Sequence, residues 1–353
     1  MFELYKESHA ARLEIIDNLI DDARNRDAGF EELFYLSRLK GLGGSDMAPM
    51  LGRSPWKTSY GLWREKSDLQ YKEIPFDKAI PLMYGHFNEK FVVDLYRKKT
   101  GLDAREHETV ASPSHPFLIA NFDRVVYNGN SAVGILECKT AAYNNSITLP
   151  DGTERPKWGK PNYEKDAPDA ANEDIDPIYY PQVQFYLGIS GLRWCDVAVL
   201  IGNSDFRVYR VRPNPKYIAA MFARAEEFWC KNVLEGIPPE RTIDDLKTSG
   251  DLDPDPLEAN EALIDTVYAA NEAGKRYRAA KEEYDKYRNL IAQSLGDHEK
   301  AVYRDAGGKL KTLATFKSSK RASFDTESFK HDHPDLYEKY VKEIVTSRTL
   351  RIY

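Results

Sequence analysis

The sequence predicts an α/β fold: a small mixed sheet flanked by helices, followed by a helical C-terminal extension. Three observations predict it. Apolar residues recur at helical spacing through much of the first hundred residues, residues 116–140 switch to strand character around an Asn-Gly turn, and residues 257–295 return to a long helical seam. The 353 residues, 42% hydrophobic and 30% charged, suffice for one sizeable core and a second, smaller unit.

The N-terminal stretch MFELYKESHAARLEIIDNLIDDARN reads as a charged amphipathic helix rather than a signal peptide, with Leu13, Ile16 and Leu19 or Ile20 on its stripe; Phe34 and Leu36 continue the helical character. A glycine-rich loop, RLKGLGGSDMAPMLG, ends at an expected N-cap, Ser45 or Asp46. Residues 57–66 and 83–99 are again helical. PFLIANFDRVVYNGNSAVGILECKT, residues 116–140, reads as two or three strands with a hairpin turn at Asn128 and Gly129. The polar, proline-bearing stretch 143–177 has no period and reads as a long loop or insertion. IYYPQVQFYLGISG then gives a short helix, DVAVLIGN and FRVYRVR give two strands, and residues 217–233 give an amphipathic helix through Ile218, Phe222, Ala225 and Trp229. Prolines and aspartates in DLDPDPLE, residues 251–258, mark a hinge and divide the chain into 1–250 and 251–353. Beyond it Tyr277, Ala280, Tyr284, Tyr287 and Ile291 fall at 3-4-3-4 spacing, the seam of a long helix expected to pack on another helix. A hairpin at Gly307 and Gly308 and a helical tail follow.

No apolar run approaches bilayer length, and the three cysteines, Cys138, Cys195 and Cys230, are widely spaced in apolar surroundings. They read as reduced core thiols, and the expected compartment is the cytoplasm. The net charge of −6 argues against a surface that coats nucleic acid indiscriminately, although a local basic channel remains compatible with it.

The chemistry concentrates in GILECKT. Residues two apart on a strand share a face, so Glu137 and Lys139 point together while Leu136 and Cys138 point into the opposite layer. Asp123 precedes the hairpin, whose turn brings it beside Glu137. Two converging carboxylates repel unless a cation neutralises them, and hard oxygen ligands select Mg²⁺ or Mn²⁺. A lysine beside such a metal can orient and help deprotonate an attacking water, or neutralise charge on a phosphorane. On the triplet alone, a solvated Glu–Lys pair on a half-exposed strand is the commoner outcome. Other segments favour the site: Glu89, with Gly85 one turn earlier, lies on a helix face that can turn to the sheet, and Tyr179 and Gln182 share a face of the next helix. His86 is near enough to Glu89 to approach a metal, and Trp56, Trp63 and Trp158 are candidates for stacking on bases or for the core.

Taken in order, GLGGSDMAPMLGRSPWKTSYGLWREK, the Gly85-to-Glu89 spacing, ANFDRVV, GILECKT and YYPQVQFYLGISG resemble the YqaJ-type viral recombinases, the branch of the PD-(D/E)XK nucleases that includes phage lambda exonuclease. The likeness spans most of residues 35–205 and extends weakly through HPDLY and SRTLRIY. It implies a restriction-endonuclease-like core and a Mg²⁺-dependent 5′-to-3′ exonuclease, with Mn²⁺ able to substitute. This enzyme would digest one strand of double-stranded DNA from its ends and leave 3′ single strands for homologous recombination. It assigns Asp123, Glu137 and the main-chain carbonyl of Cys138 to the metal, Lys139 to the nucleophilic water, Glu89 to a second metal, and Gln182 to orienting the water or Lys139. Arg38 and Ser45 match the pocket for the 5′-phosphate, as helix N-termini favour anions in any case. The resemblance further implies duplex DNA ends and a single-strand annealing protein as partners, a homo-oligomer with the ring-shaped trimer as its form, and a phage or mobile-element protein in a bacterial host. The insertion after Thr140 and the region after 250 depart from compact members. An endonuclease or single-strand nuclease on the same core, and a DNA-end-binding module with a silent site, are the competing readings.

Overall fold

The computed structural model describes residues 1–71, 73–143, 146–148, 154–159, 161, 175–247, 257–315 and 326–340. Much of the predicted insertion, most of the hinge at 251–258 and the basic tail SRTLRIY lie outside the described residues. The chain divides into two compact units, Met1–Asp245 and Leu246–Tyr353.

The first unit opens with helices α1 (Lys6–Asn25) and α2 (Phe30–Arg38), which bury Ile16, Ile20 and Ala23 with Leu36 and Leu39. A 3-10 turn at Gly44–Asp46 leads into the single-turn α3 (Met47–Met50). Asp46 does not cap α3 as expected; its carboxylate turns back to accept from the Gly43 N–H (2.9 Å) and to pair with buried Lys66. Helix α4 (Ser59–Asp68) starts at Thr58, whose Oγ1 accepts from the Gly61 N–H at 2.9 Å. Helix α5 (Phe76–Thr100) starts earlier than its periodicity suggests, runs through Pro81 at the loss of one ladder bond near its start, and stops at Gly101 with φ +70°.

The strands follow: β1 (Asp103–Arg105), β2 (Val110–Ala111), β3 (Ile119–Ala120), β4 (Arg124–Asn128), β5 (Ser131–Ala141), β6 (Ser146–Thr148) and β7 (Glu154–Pro156). After helix α6 (Tyr180–Ser190) come β8 (Cys195–Ile201) and β9 (Asp205–Val211). One five-stranded sheet has the order β1-β4-β5-β8-β9, antiparallel except for the parallel β5–β8 pair. This is the mixed sheet expected, and α6 lies in the crossover that a parallel pair requires. The hairpin corner falls on Gly129 and Asn130, one residue later than expected, because Asn128 still pairs with Ser131 and Gly129 takes φ +61°.

The two sheet faces belong to different layers. Ile135, Val197 and Val199 pack with Val183, Phe185 and Leu187 of α6, whereas Leu136 and Ala198 pack with Val92, Val93 and Tyr96 of α5. Strand β8 is buried along its length, and its one charge, Asp196, is met by Arg210 (2.8 Å) and the Tyr96 hydroxyl (2.8 Å). Helix α7 (Pro215–Glu227), capped by Asn214 at the Tyr217 N–H (3.1 Å), continues as a π-helical segment Phe228–Leu234 that buries Trp229, and α8 (Ile243–Lys247) follows.

The second unit contains α9 (Glu261–Leu295), the hairpin β10 (Lys300–Arg304) and β11 (Leu310–Thr315), and α10 (Thr326–Asp332) and α11 (Pro334–Tyr340). Within it the seam expected to pack on another helix is exposed at Tyr277, Tyr284, Tyr287 and Ile291. The helices described after α9 have seven residues each, too short to cover a 35-residue helix. Among the described residues no helix is long and apolar enough to cross a membrane.

Candidate active site

Strand alternation places Glu137 and Lys139 on the α6 side of β5, and the Arg124–Leu136 register sets Asp123, the residue before β4, beside Glu137. Glu137 is buried, Asp123 and Lys139 half-buried. Asp123 Oδ2 accepts from the Cys138 N–H at 2.7 Å. Lys139 Nζ donates to Glu137 Oε1 (2.5 Å) and to Gln182 Oε1 (3.3 Å), and lies 4.6 Å from the ring centroid of Tyr179. Gln182 Nε2 in turn donates to Glu137 Oε1 (2.7 Å) and Tyr186 Oη (3.1 Å). Four of the predicted residues, Asp123, Glu137, Lys139 and Gln182, therefore form one connected cluster.

The electrostatics are those of two acids sharing a small space. Burial, reinforced by the neighbouring Glu137, pushes the Asp123 carboxyl well above the usual carboxylate range. Burial alone would lower the Lys139 ammonium, but Glu137 and then Asp123 outweigh it and leave that group above its ordinary value.

Glu89 approaches from the other side. It lies on α5, and its Oε1 accepts from Arg124 Nη1 at 2.7 Å, on the sheet face opposite Glu137. It is close enough to add to the negative potential at Asp123. His86 is exposed on the same helix. Trp158 is buried against Tyr179 and Tyr209, Trp63 Nε1 donates to the Asn232 carbonyl (2.8 Å), and Trp56 is exposed. Cys195 and Cys230 are buried free thiols, and Cys138 is a half-buried one.

Arg38 and Ser45 do meet. Arg38 Nη2 donates to Ser45 Oγ at 2.6 Å, with Ser45 exposed at the surface of the glycine loop. That loop sits against the Asp123–Gln182 cluster: a Cβ at Gly44 would fall 2.7 Å from the Tyr186 ring and 3.0 Å from Gln182 Cγ.

Arg38, Ser45, Glu89, Asp123, Glu137, Lys139 and Gln182 all fall between residues 34 and 193, the segment that matches the family model of the YqaJ-like viral recombinase domain. Over 331 residues, 91% of this chain and 93% of its relative, the sequence is 29% identical to uncharacterized protein YqaJ of Bacillus subtilis strain 168. The likeness to this relative thus runs through the C-terminal extension as well. Similar solved structures include an alkaline exonuclease (LHK-Exo) from Laribacter hongkongensis, at 18% identity and a TM-score of 0.40 over 57% of this chain and 91% of that one. A phage related exonuclease from Haemophilus somnus 129PT is similar at 14% identity and a TM-score of 0.38, over 56% of this chain and 96% of that one.

The cluster's chemistry fits a divalent metal. Glu137 Oε2 is buried without a hydrogen-bond partner, and burial together with Glu137 disfavours charge on the adjoining Asp123. Among the described residues no third carboxylate, histidine or cysteine joins these two in a metal-holding cluster. Sequence reasoning missed three neighbours of the cluster and the glycine loop: Tyr186, which links Gln182 to that loop, and the buried pair Asp46 and Lys66. Lys66 had a signal, a charge four residues after buried Leu62 on one helix face.

Proposed function

We propose that the chain is a metal-dependent deoxyribonuclease that digests one strand of duplex DNA from its 5′ ends, leaving 3′ single strands for phage-type homologous recombination. The observation that carries this reading is the pair Asp123 and Glu137, with an unpartnered buried carboxylate oxygen, on the same strand face as a lysine held at Nζ by two acceptors. Asp123, Glu137 and the Cys138 carbonyl would hold Mg²⁺, or Mn²⁺ in its place. Such an ion supplies a more acidic water and a counter-charge for the phosphorane oxygens. The protein's own groups do the positioning. Gln182 and Glu137 fix the Lys139 ammonium, which is then aimed at the attacking water or at a phosphate oxygen, and Tyr179 covers it from one side. Glu89 would contribute to a second metal after exchanging its Arg124 partner. Arg38 and Ser45 would receive the terminal 5′-phosphate, a guanidinium and a hydroxyl being suited to an anion. The family resemblance extends the proposal to a single-strand annealing protein that takes over the product strand, and to a homo-oligomeric ring.

The test is digestion of linear duplex, nicked circle and covalently closed circle of one sequence with Mg²⁺. Loss of the linear form, with nucleotide release starting at the 5′ termini and the closed circle intact, is the expected result. Cutting of the closed circle would replace the exonuclease reading with an endonuclease. Tight end binding without release of nucleotides would make the chain a binding module.

A further inference from the structure

Lys66 is fully buried, on the face of α4 that also buries Leu62. An ammonium in such a place is unfavourable unless its donors are met. They are: Nζ donates to the main-chain carbonyl of Arg38 (2.9 Å) and pairs with Asp46 Oδ2 (2.9 Å). Asp46, also buried, accepts from Arg38 Nη2 at Oδ1 (3.0 Å) and from the Gly43 N–H at Oδ2 (2.9 Å). Arg12 Nη2 adds bonds to the carbonyls of Lys66 (2.5 Å) and Leu39 (3.2 Å). One lysine therefore holds Arg38 twice, at its backbone directly and at its guanidinium through Asp46, and the same carboxylate pins the glycine loop. The Arg38 side chain is still 32% exposed and reaches Ser45 at the surface. Burial alone would raise the Asp46 carboxyl, but Lys66 and then Arg38 overturn this and hold it below the ordinary range, so the acceptor behind Arg38 is charged at neutral pH.

A buried ion pair is weak evidence for stability, because apolar side chains of similar volume pack as well or better. An apolar pair cannot fix the direction of a planar guanidinium. We infer that the buried Lys66–Asp46 pair is a positioning device that aims Arg38 and the Gly43–Ser45 loop outward at a phosphate monoester on a DNA end. Discrimination between phosphorylated and hydroxyl ends then depends on two residues that do not touch the DNA. The inference rests on the reading of Arg38 and Ser45 as the terminal-phosphate pocket.

The experiment compares KM and kcat of the full chain on linear duplexes with 5′-phosphate or 5′-hydroxyl ends, at one salt concentration. The variants are Lys66→Met/Asp46→Leu together, which replaces the pair by apolar side chains, and Lys66→Gln, whose neutral, shorter amide keeps hydrogen-bond donors but loses the charge. Thermal unfolding of each checks the fold. The double variant unfolds cooperatively, and its preference for phosphorylated ends falls about tenfold, through KM, the scale of losing one charge-assisted contact. Lys66→Gln loses about threefold, since part of the hold remains. A purely structural role would lower kcat on both ends alike and leave the ratio as it was. A folded double variant with the wild-type ratio overturns the positioning inference and leaves the pocket standing. Equal rates for both ends in the wild type sink the terminal-phosphate reading, and this inference with it.

Discussion

Replacing Asp123 by asparagine should make the metal-free protein more stable while abolishing cleavage. Asp123 stands beside Glu137, and burial together with that neighbour raises its carboxyl well above the usual range. Two carboxylates roughly 4–5 Å apart repel by about 2–4 kcal/mol at an effective dielectric of 20–40. Asp123 is only half-buried, so solvent screening favours the lower end. Asparagine also gives the Cys138 N–H a neutral acceptor in place of a charged one and forgoes the attraction to Lys139, which returns about 1 kcal/mol. The net gain is about 1 kcal/mol, or roughly 2–4 °C in Tm for a unit of this size. The sign with pH follows from the raised value. The native state binds the Asp123 proton more tightly than the unfolded chain, so this group's contribution is fully present below about pH 4 and is lost as pH rises through its native value. Thermal unfolding in EDTA across pH 4–8 should therefore show the variant gaining on the wild type as pH increases. Titrated with Mg²⁺, the wild type should recover about 1.4 kcal/mol at ten times Kd, and the variant much less. A variant less stable than the wild type in EDTA at neutral pH, or one stabilised equally by Mg²⁺, would refute the paired-carboxylate argument.

Three other substitutions probe separate parts of the structure. Lys139→Met should lower turnover by roughly 10²-fold while the Mg²⁺-dependent rise in Tm persists, and restoration of the rate by excess Mg²⁺ would show that the lysine shapes the metal site instead. Gly44→Ala places a methyl group 2.7 Å from the Tyr186 ring and 3.0 Å from Gln182 Cγ, so denaturant midpoints should report about 1–3 kcal/mol of overpacking and kcat should fall with it. Asp196→Ala removes the buried partner of Arg210 and Tyr96 on the sheet face opposite Glu137, and urea unfolding should register a loss of about 3–5 kcal/mol.

What could be seen in the sequence was local or period-two. The alternation of Leu136, Glu137, Cys138 and Lys139 announces the two faces of β5, and the Asn-Gly turn lets Asp123 be placed opposite Glu137 without any long-range information. The corner itself moved by one residue because a two-residue turn is set by where Gly129 takes positive φ. Less legible were pairings between distant segments. Glu89 reaches Arg124 because α5 packs on the face opposite Glu137, and nothing in the helix alone says which layer it will cover. The Lys66–Asp46 pair joins α4 to the glycine loop, and only the odd presence of a lysine on the Leu62 face hinted at it. On α9 the tyrosine seam satisfies the helical period, but period does not supply a partner, and that face is exposed within its unit.

The central claim is that Asp123 and Glu137 perform chemistry rather than hold DNA or the fold. It is tested most directly by measuring, on one linear duplex, both end binding and nucleotide release in wild type, Asp123→Ala and Glu137→Ala. Positioning on the end and hydrolysis are separable, so release should fall by about 10³-fold or more while binding stays within a few fold of wild type. Near wild-type release from either variant would contradict the account.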